Sequence, residues 1–558
     1  MKNLDRLLLL TLLAVSLLSC NKKLEKENHS RLTPEFFQTA QGFETGLNAA
    51  YSGLRELYGP EEGVEAFTAV GTDEFRTANG NRTSNVANYS SAYLSSNEFS
   101  SKIWNTCYTY INTCNGLIKF GADITELSED AKKQKLAEAH FLRAFYYFTL
   151  VPLFGDVTLN TEFQDAPTTA AERADKGTVY DLIEADLKVA MDGLVASSKI
   201  GGVQPGRATA ATARHLLAKV YLTRAYTDIA KSDDFQQALN LAKGLIDDAP
   251  ALNIGLLPDF EDVHRPTNED NAEVLFSVQY STDLVFGGEQ TWNHLYVNKY
   301  DVQLGERNLN DGRCYAWFRG TDWLYNTAFA DKTNDSRYYK TFQSVWYATR
   351  ALSGSYTIKV DGQTHTLNYN FQPGDTAMVM PGYNMPLPEM QNKNYYIFTP
   401  ENYTDATIFP TMTKYLDPNR ETPNENGKRP IIVLRLADTY LVAAEAAYQL
   451  GQPDLAAQYI NVIRKRAANE GREQAMEVNA ADIDIDFILD ERSRELCAEN
   501  FRWLDLVRTG KLFERVRAFD DFEARNNIRE YHVIRPIPQS QIDAVITGPP
   551  YPQNPGWN

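Results

Sequence analysis

Apolar residues recur three and four positions apart in the first half of this 558-residue chain and again after residue 430. That spacing places apolar side chains on one face of an α-helix, and such a face is buried by packing against other helices. The pattern predicts a mainly α-helical fold. It indicates separate helices over residues 33–54, 104–118, 129–151 and 178–195, the first capped by Thr33 with Pro34 in its first turn.

Two further pairs of helices are predicted on either side of short polar turns. Residues 214–226 and 235–246 flank the turn KSDD, and residues 436–450 and 455–468 flank the turn GQPD. Alanine-rich helices joined by tight turns resemble tetratricopeptide-type units, which stack and expose grooves. We therefore expect a scaffold of tetratricopeptide-like helix pairs, followed by one more helical stretch over residues 487–512.

Residues 255–430 lack helical periodicity and are rich in Asn, Gly, Pro, Tyr and Trp. Within them, residues 355–371 alternate apolar and polar side chains around Asp361-Gly362, which predicts a small β-hairpin. The rest of this insertion is predicted to form long ordered loops, and loops of that length in a compact protein are usually functional. The Pro-rich tail is expected to lie extended over the surface.

The first twenty residues have the pattern of a lipoprotein signal peptide. Lys2 and Arg6 precede an apolar run over residues 7–18, which is too short to span a bilayer and ends in Leu18-Ser19-Cys20. This sequence resembles the bacterial lipobox, in which the cysteine is acylated and becomes the first residue of the mature chain. It predicts a signal peptide over 1–19, with the acylated Cys20 and a flexible tether over 20–31. Residues 32–558 then form one domain.

Composition excludes several classes of partner and site. The formal net charge of −18 argues against nucleic acid, because phosphate neutralisation needs clustered Lys and Arg. Cys107 and Cys114 lie seven residues apart in a helical pattern, too far for a disulfide, so they are predicted to be buried thiols. No HExxH, GxSxG, P-loop or zinc-ligand spacing is present, and neither a metal nor a cofactor is expected.

Five stretches together resemble the SusD/RagB family of Bacteroidetes outer-membrane lipoproteins. They are AEAHFLRAFYY and LFGDV (137–147, 153–157), GRAT and LLAKVY (206–209, 216–221), LRLAD and AAEA (434–438, 443–446), ERSREL and RWLDL (491–496, 502–506), and PIP and QNPG (536–538, 553–556). Their order and spacing match the family from about residue 33 to the end of the chain.

The resemblance implies a helical scaffold, at about 32–254 and 431–515, with a ligand-binding insertion at about 255–430 and a tail at about 516–558. It implies a surface-exposed, lipid-anchored outer-membrane protein that covers a SusC-like TonB-dependent transporter. It also implies binding of oligosaccharides, or less often peptides, without cleavage. Because the charges over residues 491–503 repeat around a helix, Glu491 and Glu495 are expected to be surface carboxylates that pair with charges of that stretch and with helix ends rather than to catalyse.

Candidate ligand-binding residues lie in two polar segments with aromatic side chains. Sugars present flat C–H faces and rims of hydroxyls, so they need exposed aromatic rings beside directed polar groups. Fifteen of the 62 residues from 286 to 347 are aromatic. The predicted site residues are Trp292, Tyr296, Trp317, Trp323, Trp346, Asn310 and Arg319 from this segment, and Asp73, Arg82 and Tyr89 from the segment after the first helix.

Three alternatives remain open from the sequence. The aromatic rings could instead fill a second small core beneath the loops. A lipid-anchored glycoside hydrolase needs two carboxylates about 5–10 Å apart, and a spacing created by folding is not visible in a sequence. A tetratricopeptide-type adaptor would not require the aromatic insertion.

Overall fold

The computed structural model describes residues 37–557 except 79, 201, 282–286, 404–406, 500 and 521–522. The predicted lipobox, the tether and the Thr33–Pro34 cap therefore lie outside the described residues. Eleven of the described α-helices form the scaffold. They are α1 (Ala40–Leu57), α2 (Glu98–Gly121), α3 (Glu129–Phe154), α4 (Lys176–Gly193), α5 (Ala210–Arg224), α6 (Asp234–Asp248), α7 (Leu436–Gln449), α8 (Pro453–Ala467), α9 (Ile485–Leu496), α10 (Arg502–Arg508) and α11 (Leu512–Phe519).

Polar side chains determine where most of the long N-terminal helices begin. Thr39 accepts a hydrogen bond from the Gly42 amide at the start of α1, and Asn97, Ser128, Asp175 and Thr209 cap α2 to α5 in the same way. Each cap satisfies a backbone N–H that has no partner within the helix.

Helices α1 to α8 each pack against the next scaffold helix in the chain. Helix α2 packs on α1 and α3, α4 packs on α3 and α5, and α6 lies against both α5 and α7. Helix α7 in turn packs on α8. The mainly α-helical fold with tetratricopeptide-like pairs is confirmed. In the part of the chain that is described, no helix is long and apolar enough to cross a membrane.

The insertion contains short strands and helical turns. Its strands and those that flank it are β1 (Phe75–Thr77), β2 (Val274–Val278), β3 (Phe318–Gly320), β4 (Phe342–Gln343), β5 (Val345–Tyr347), β6 (Leu352–Val360), β7 (Gln363–Phe371), β8 (Thr376–Val379), β9 (Tyr396–Ile397), β10 (Thr411–Met412) and β11 (Ile431–Arg435). Short helices lie at Glu65–Thr68, Ser84–Ala87, Ala249–Leu252, Phe260–Val263, Trp292–Leu295, Tyr300–Leu304, Leu324–Ala328, Arg337–Thr341, Leu387–Gln391, Pro400–Asn402, Glu473–Met476, Ala480–Asp482, Ala524–Asn527, Glu530–Val533 and Gln539–Ala544.

The strands form small separate sheets, and one of them is the predicted hairpin. Strands β6 and β7 pair antiparallel, and the two turn residues Asp361 and Gly362 have φ angles of 52° and 76°. Both angles are positive, as a two-residue turn of this type requires. The other sheets pair β1 with β3, β4 with β10, β2 with β11, and β8 with both β5 and β9.

The helical stretch predicted over residues 487–512 is present, but the chain interrupts it twice. Helix α9 ends at Leu496, α10 begins at Arg502 and α11 at Leu512. Ala498 has a φ angle of 61° and cannot continue a right-handed helix. The expected extended surface tail is wrong in part, since Ile537 and Asn554 are buried.

Buried charges at the centre of the scaffold are paired. Arg435 lies 2.7 Å from Glu273 and 2.6 Å from Glu495, while Arg337 contacts Glu491 at 2.8 Å. Burial opposes ionisation of Glu491, but Arg337 and two further arginines outweigh it and hold the pKa of that carboxyl far below its ordinary value. Glu491 and Glu495 are paired with cations, but the expected surface position is wrong, because both are buried and their partners include Arg337 and Arg435 from outside this helix. Cys107, Cys114, Cys314 and Cys497 are buried thiols.

Candidate functional site

A short ribbon brings the two predicted ligand-binding segments together. Strand β1 pairs antiparallel with β3, so that Arg76 lies opposite Arg319. The pairing continues beyond the strands, where the Ala78 amide donates to the Trp317 carbonyl at 2.8 Å. The Asn81 side-chain amide donates to the same carbonyl at 3.3 Å. The segment between α1 and α2 therefore stabilises the backbone of Trp317 through these two hydrogen bonds.

Tyr315 and Trp317 form a stacked pair of half-buried rings, here called the platform. Their ring centroids are 5.4 Å apart and their planes differ by 30°. Between them, Ala316 has a φ angle of 52°, a left-handed conformation that is uncommon for a residue with a Cβ atom. Such residues cluster at functional sites, where the surrounding structure holds them in place.

Main-chain hydrogen bonds hold this conformation. The Ala316 amide donates to the Val297 carbonyl at 2.8 Å, and the Trp317 amide donates to the Leu295 carbonyl at 3.0 Å. The platform segment is thus fixed along its backbone to residues 295–297. Its two rings are presented without depending on a mobile loop.

One buried histidine and one arginine support Tyr315. The buried His294 ring lies 5.1 Å from the Tyr315 ring, and the Arg313 guanidinium lies 4.8 Å from its centroid. Burial, with smaller contributions from Arg420 and Arg313, lowers the pKa of His294 to about 3, so the imidazole is neutral at physiological pH. Arg313 also donates to the Asn424 carbonyl at 3.2 Å.

Glu61 and Glu289 act electrostatically on Tyr315, and Arg82 joins Glu61 to Glu62 and Glu98; these four glutamates are here called the acidic edge. Glu289 also acts electrostatically on Glu61. Arg82 lies 2.5 Å from Glu62, 2.6 Å from Glu98 and 3.6 Å from Glu61. Burial, with Glu62 as the next cause, raises the pKa of Glu61.

Of the five aromatic residues predicted in the segment 286–347, four are buried and do not present a ring to solvent. Trp292 and Tyr296 pack against Tyr415, Trp323 stacks on Phe519 at 5.2 Å, and Trp346 is fully buried. These rings fill a core beneath the insertion, because the insertion is large enough to enclose its own apolar side chains. Only Trp317 among the five is partly exposed.

Three of the predicted polar or tyrosine partners are buried as well. Asp73 pairs with Arg502 and Arg515, Arg319 lies 2.9 Å from Asp322, and the Tyr89 hydroxyl donates to the Gly71 carbonyl at 2.5 Å. Their side chains are therefore engaged within the protein. Arg82 is exposed at the acidic edge, and Asn310 is exposed in the loop before Asp311.

The sequence reasoning did not select Tyr315, His294 or Glu61 as site residues. No local pattern gave a signal for the pair of Tyr315 and Trp317, because the left-handed Ala316 between them breaks the alternation of an extended strand. Within the described part of the chain, no group of three or more His, Cys, Asp or Glu side chains could hold a metal ion.

A second concavity has a different chemical character. A cavity of about 650 Å³ lies among α3, α5, α10 and the tail. Apolar side chains such as Phe148, Leu222, Leu504 and Ile534 provide much of its lining. Charged side chains such as Lys219, Asp505 and Arg508 also line this cavity, whereas the platform presents two stacked rings near carboxylates and a guanidinium.

Comparisons with known proteins agree along the whole described chain. A SusD-like protein P25 from Formosa agariphila is 28% identical over 562 residues, covering 95% of each chain. A SusD homologue from Bacteroides thetaiotaomicron has a similar structure, with a TM-score of 0.73 at 20% identity, covering 93% of this chain and 97% of the other. Surface glycan-binding protein A of the same organism, in complex with laminarihexaose, has a TM-score of 0.68 at 19% identity, covering 92% and 99%.

Two family models match successive parts of the chain. The model described as "Starch-binding associating with outer membrane" matches residues 22–222. The model described as "SusD family" matches residues 267–557, slightly more than half of the 558 residues. The chain belongs to the SusD family.

Proposed function

We propose that this protein captures an oligosaccharide on the platform at the cell surface and passes it, uncleaved, to a SusC-like TonB-dependent transporter. The observation that carries this proposal is the half-buried stacked pair of Tyr315 and Trp317. Aromatic faces bind the C–H faces of sugar rings, while neighbouring polar groups bind the hydroxyls. Glu61, Glu289 and Arg313 supply such groups beside the platform.

The relatives support a sugar ligand. One structural neighbour is titled a laminarin-binding SusD-like protein, and another is a surface glycan-binding protein in complex with laminarihexaose. Capture without cleavage fits the charges near the platform, because Arg82 forms salt bridges with Glu62 and Glu98. Hydrolysis would require a pair of carboxylates placed on either side of a scissile bond.

Attachment to the outer membrane is proposed through Cys20. The basic start, the short apolar run and Leu18-Ser19-Cys20 support acylation. Several acyl chains on one residue would give a stable anchor, whereas a single chain binds only marginally. Metabolic labelling with a fatty-acid probe should modify the wild-type chain and leave Cys20→Ala unlabelled.

Binding can be tested with the purified protein on an array of oligosaccharides and peptides, with product analysis of each ligand retained. Trp317→Ala and Tyr315→Ala should each weaken sugar binding at least tenfold. Tyr347→Ala is the matched control, because Tyr347 is 60% exposed on β5, outside the platform. Equal binding by all three variants, or a cleaved product, would contradict the proposal. Retention of peptides alone would favour import of peptides by the same scaffold.

A further inference from the structure

The two rings of the platform are not equally available to a ligand. Three groups are packed around the Tyr315 ring, at distances measured to its centroid. They are the stacked Trp317 ring at 5.4 Å, the Arg313 guanidinium at 4.8 Å and the tilted His294 ring at 5.1 Å. His294 is fully buried, and Arg313 is held by its hydrogen bond to the Asn424 carbonyl at 3.2 Å. A sugar that stacked on Tyr315 would have to displace one of these groups.

Trp317 has fewer neighbours than Tyr315. Among the residues that the structure describes, Tyr315 is the one aromatic ring in contact with its indole, and no guanidinium or ammonium group lies over it. The indole N–H of Trp317 also donates to no other described residue. The face of the indole turned away from Tyr315, here called the outer face, therefore has no partner of these kinds within the described chain.

Other exposed aromatic residues do not extend this surface. The most exposed aromatic side chains of the described chain are those of Tyr339, Tyr347 and Tyr383, and none of them makes a ring contact with the platform. Each sugar unit gains stacking energy only from a ring face of its own. Ordering further units without such a face costs conformational entropy and adds little affinity.

We infer that the platform binds one sugar ring, stacked on the outer face of Trp317 and supported through that indole by Tyr315, an inference that rests on the proposed function. The unit that is recognised is then a single sugar residue rather than a run of consecutive residues. The indole N–H can donate to an oxygen of the same sugar, since it is a donor without an acceptor in the described chain. Short and long oligosaccharides of one kind should bind with similar affinity.

The dependence on ligand length tests this inference. The full chain is titrated calorimetrically with laminari- and malto-oligosaccharides of two to six units, and with the same ladder of any other glycan that the array retains. From two to six units, Kd should fall by at most about threefold, the ratio of the numbers of rings that can occupy one site. A steeper fall would overturn the inference and leave the proposed function standing.

Variants separate the role of Trp317 from that of Tyr315. Trp317→Ala should weaken binding at least tenfold, by the same factor for ligands of two and six units. Tyr315→Phe keeps the supporting ring and should bind within about threefold of wild type. Tyr315→Leu should weaken both lengths equally, because only the support of the indole is lost. A loss in Tyr315→Leu that grows with length would give Tyr315 a sugar of its own and overturn the inference. Tyr347→Ala remains the control.

The position of the bound sugar can be checked by fluorescence. Trp317 is half-buried, whereas the other six tryptophans are each at most 9% exposed, so the difference between wild type and Trp317→Phe isolates the accessible signal. A saturating disaccharide or hexasaccharide should reduce acrylamide quenching of that signal at least twofold. Unchanged quenching with ligand bound would place the sugar elsewhere and overturn the inference. Retention of no glycan of any class would overturn the proposed function and this inference with it.

Discussion

Arg502 donates from Nε to Oδ1 of Asp73 at 2.6 Å, although 429 residues separate them in the chain. Arg515 donates to the other oxygen of Asp73 at 2.5 Å. Both arginines lie on C-terminal helices, and Asp73 lies just before β1. The ribbon that supports the platform is therefore fastened to the end of the chain by buried charges.

Replacing Asp73 with Asn should destabilise the protein strongly. The substitution keeps the shape of the side chain but removes the carboxylate that Arg502 and Arg515 share, which leaves Arg502 with only Glu74 at 3.7 Å and should cost about 3–5 kcal/mol. Urea unfolding measures this loss. Asp192→Asn is the control, since Asp192 forms an exposed pair with Lys133 and should change the free energy of unfolding by about 1 kcal/mol or less. Similar losses in the two variants would contradict the structural role of Asp73.

Trp346→Ala and Trp317→Ala should have opposite consequences for stability and binding. Trp346 is fully buried, so its truncation leaves a cavity and should cost about 3–5 kcal/mol. Trp317 is half-buried, so Trp317→Ala should lower the free energy of unfolding clearly less. The same variant should weaken sugar binding. Thermal unfolding and a binding titration on both variants check this contrast. A loss of stability in Trp317→Ala as large as in Trp346→Ala would make Trp317 a core residue.

Glu74 should make stability fall as the pH rises from about 4.5 to about 7. Burial, partly offset by Arg502, raises the pKa of Glu74 from 4.5 to about 7. The folded state then holds a proton that the unfolded state releases, so the stabilisation is complete below pH 4.5 and is lost as the pH passes 7. The full change corresponds to about 3 kcal/mol. Urea midpoints of wild type minus Glu74→Gln should decline across that window, and a flat difference would rule out the shift.

Gly53→Ala should be destabilising because α1 and α2 approach closely at this position. A Cβ atom at Gly53 would lie 2.1 Å from Cδ2 of Tyr110. Relieving that clash requires Tyr110 to move, and overpacking of this kind costs about 1–3 kcal/mol. Gly80→Ala is the matched control, because nothing lies within 4 Å of the position and its φ angle is not in the left-handed region. Equal unfolding midpoints for the two variants would show that the helices separate at little cost.

The helices and the hairpin were predictable because their signals are local. Periodicity located α3 and α4 within a few residues, and Asp361-Gly362 identified the hairpin turn. The break at Ala498 was not predictable, since apolar periodicity continues across it and nothing in the residue itself favours a positive φ angle.

The candidate site was predictable only in part, because exposure depends on tertiary packing. Aromatic density indicated the segment that contains the platform but did not separate Trp317 from Trp346, since both are tryptophans among polar neighbours. Asp73 and Arg82 both looked like hydroxyl partners, yet folding buries the first and leaves the second at the surface. These differences arise from contacts hundreds of residues apart in the chain, which local patterns do not record.

The left-handed conformation of Ala316 has a consequence for how the ligand of such a protein can change in evolution. Backbone hydrogen bonds to Val297 and Leu295 hold the segment around Ala316. The positions of residues 315 and 317 therefore do not depend on which side chains they carry. On the proposed function, substitutions at positions 315 and 317 would change the ligand while the backbone that holds them persists. Exchanging these two side chains would then be a route to a different oligosaccharide on the same fold.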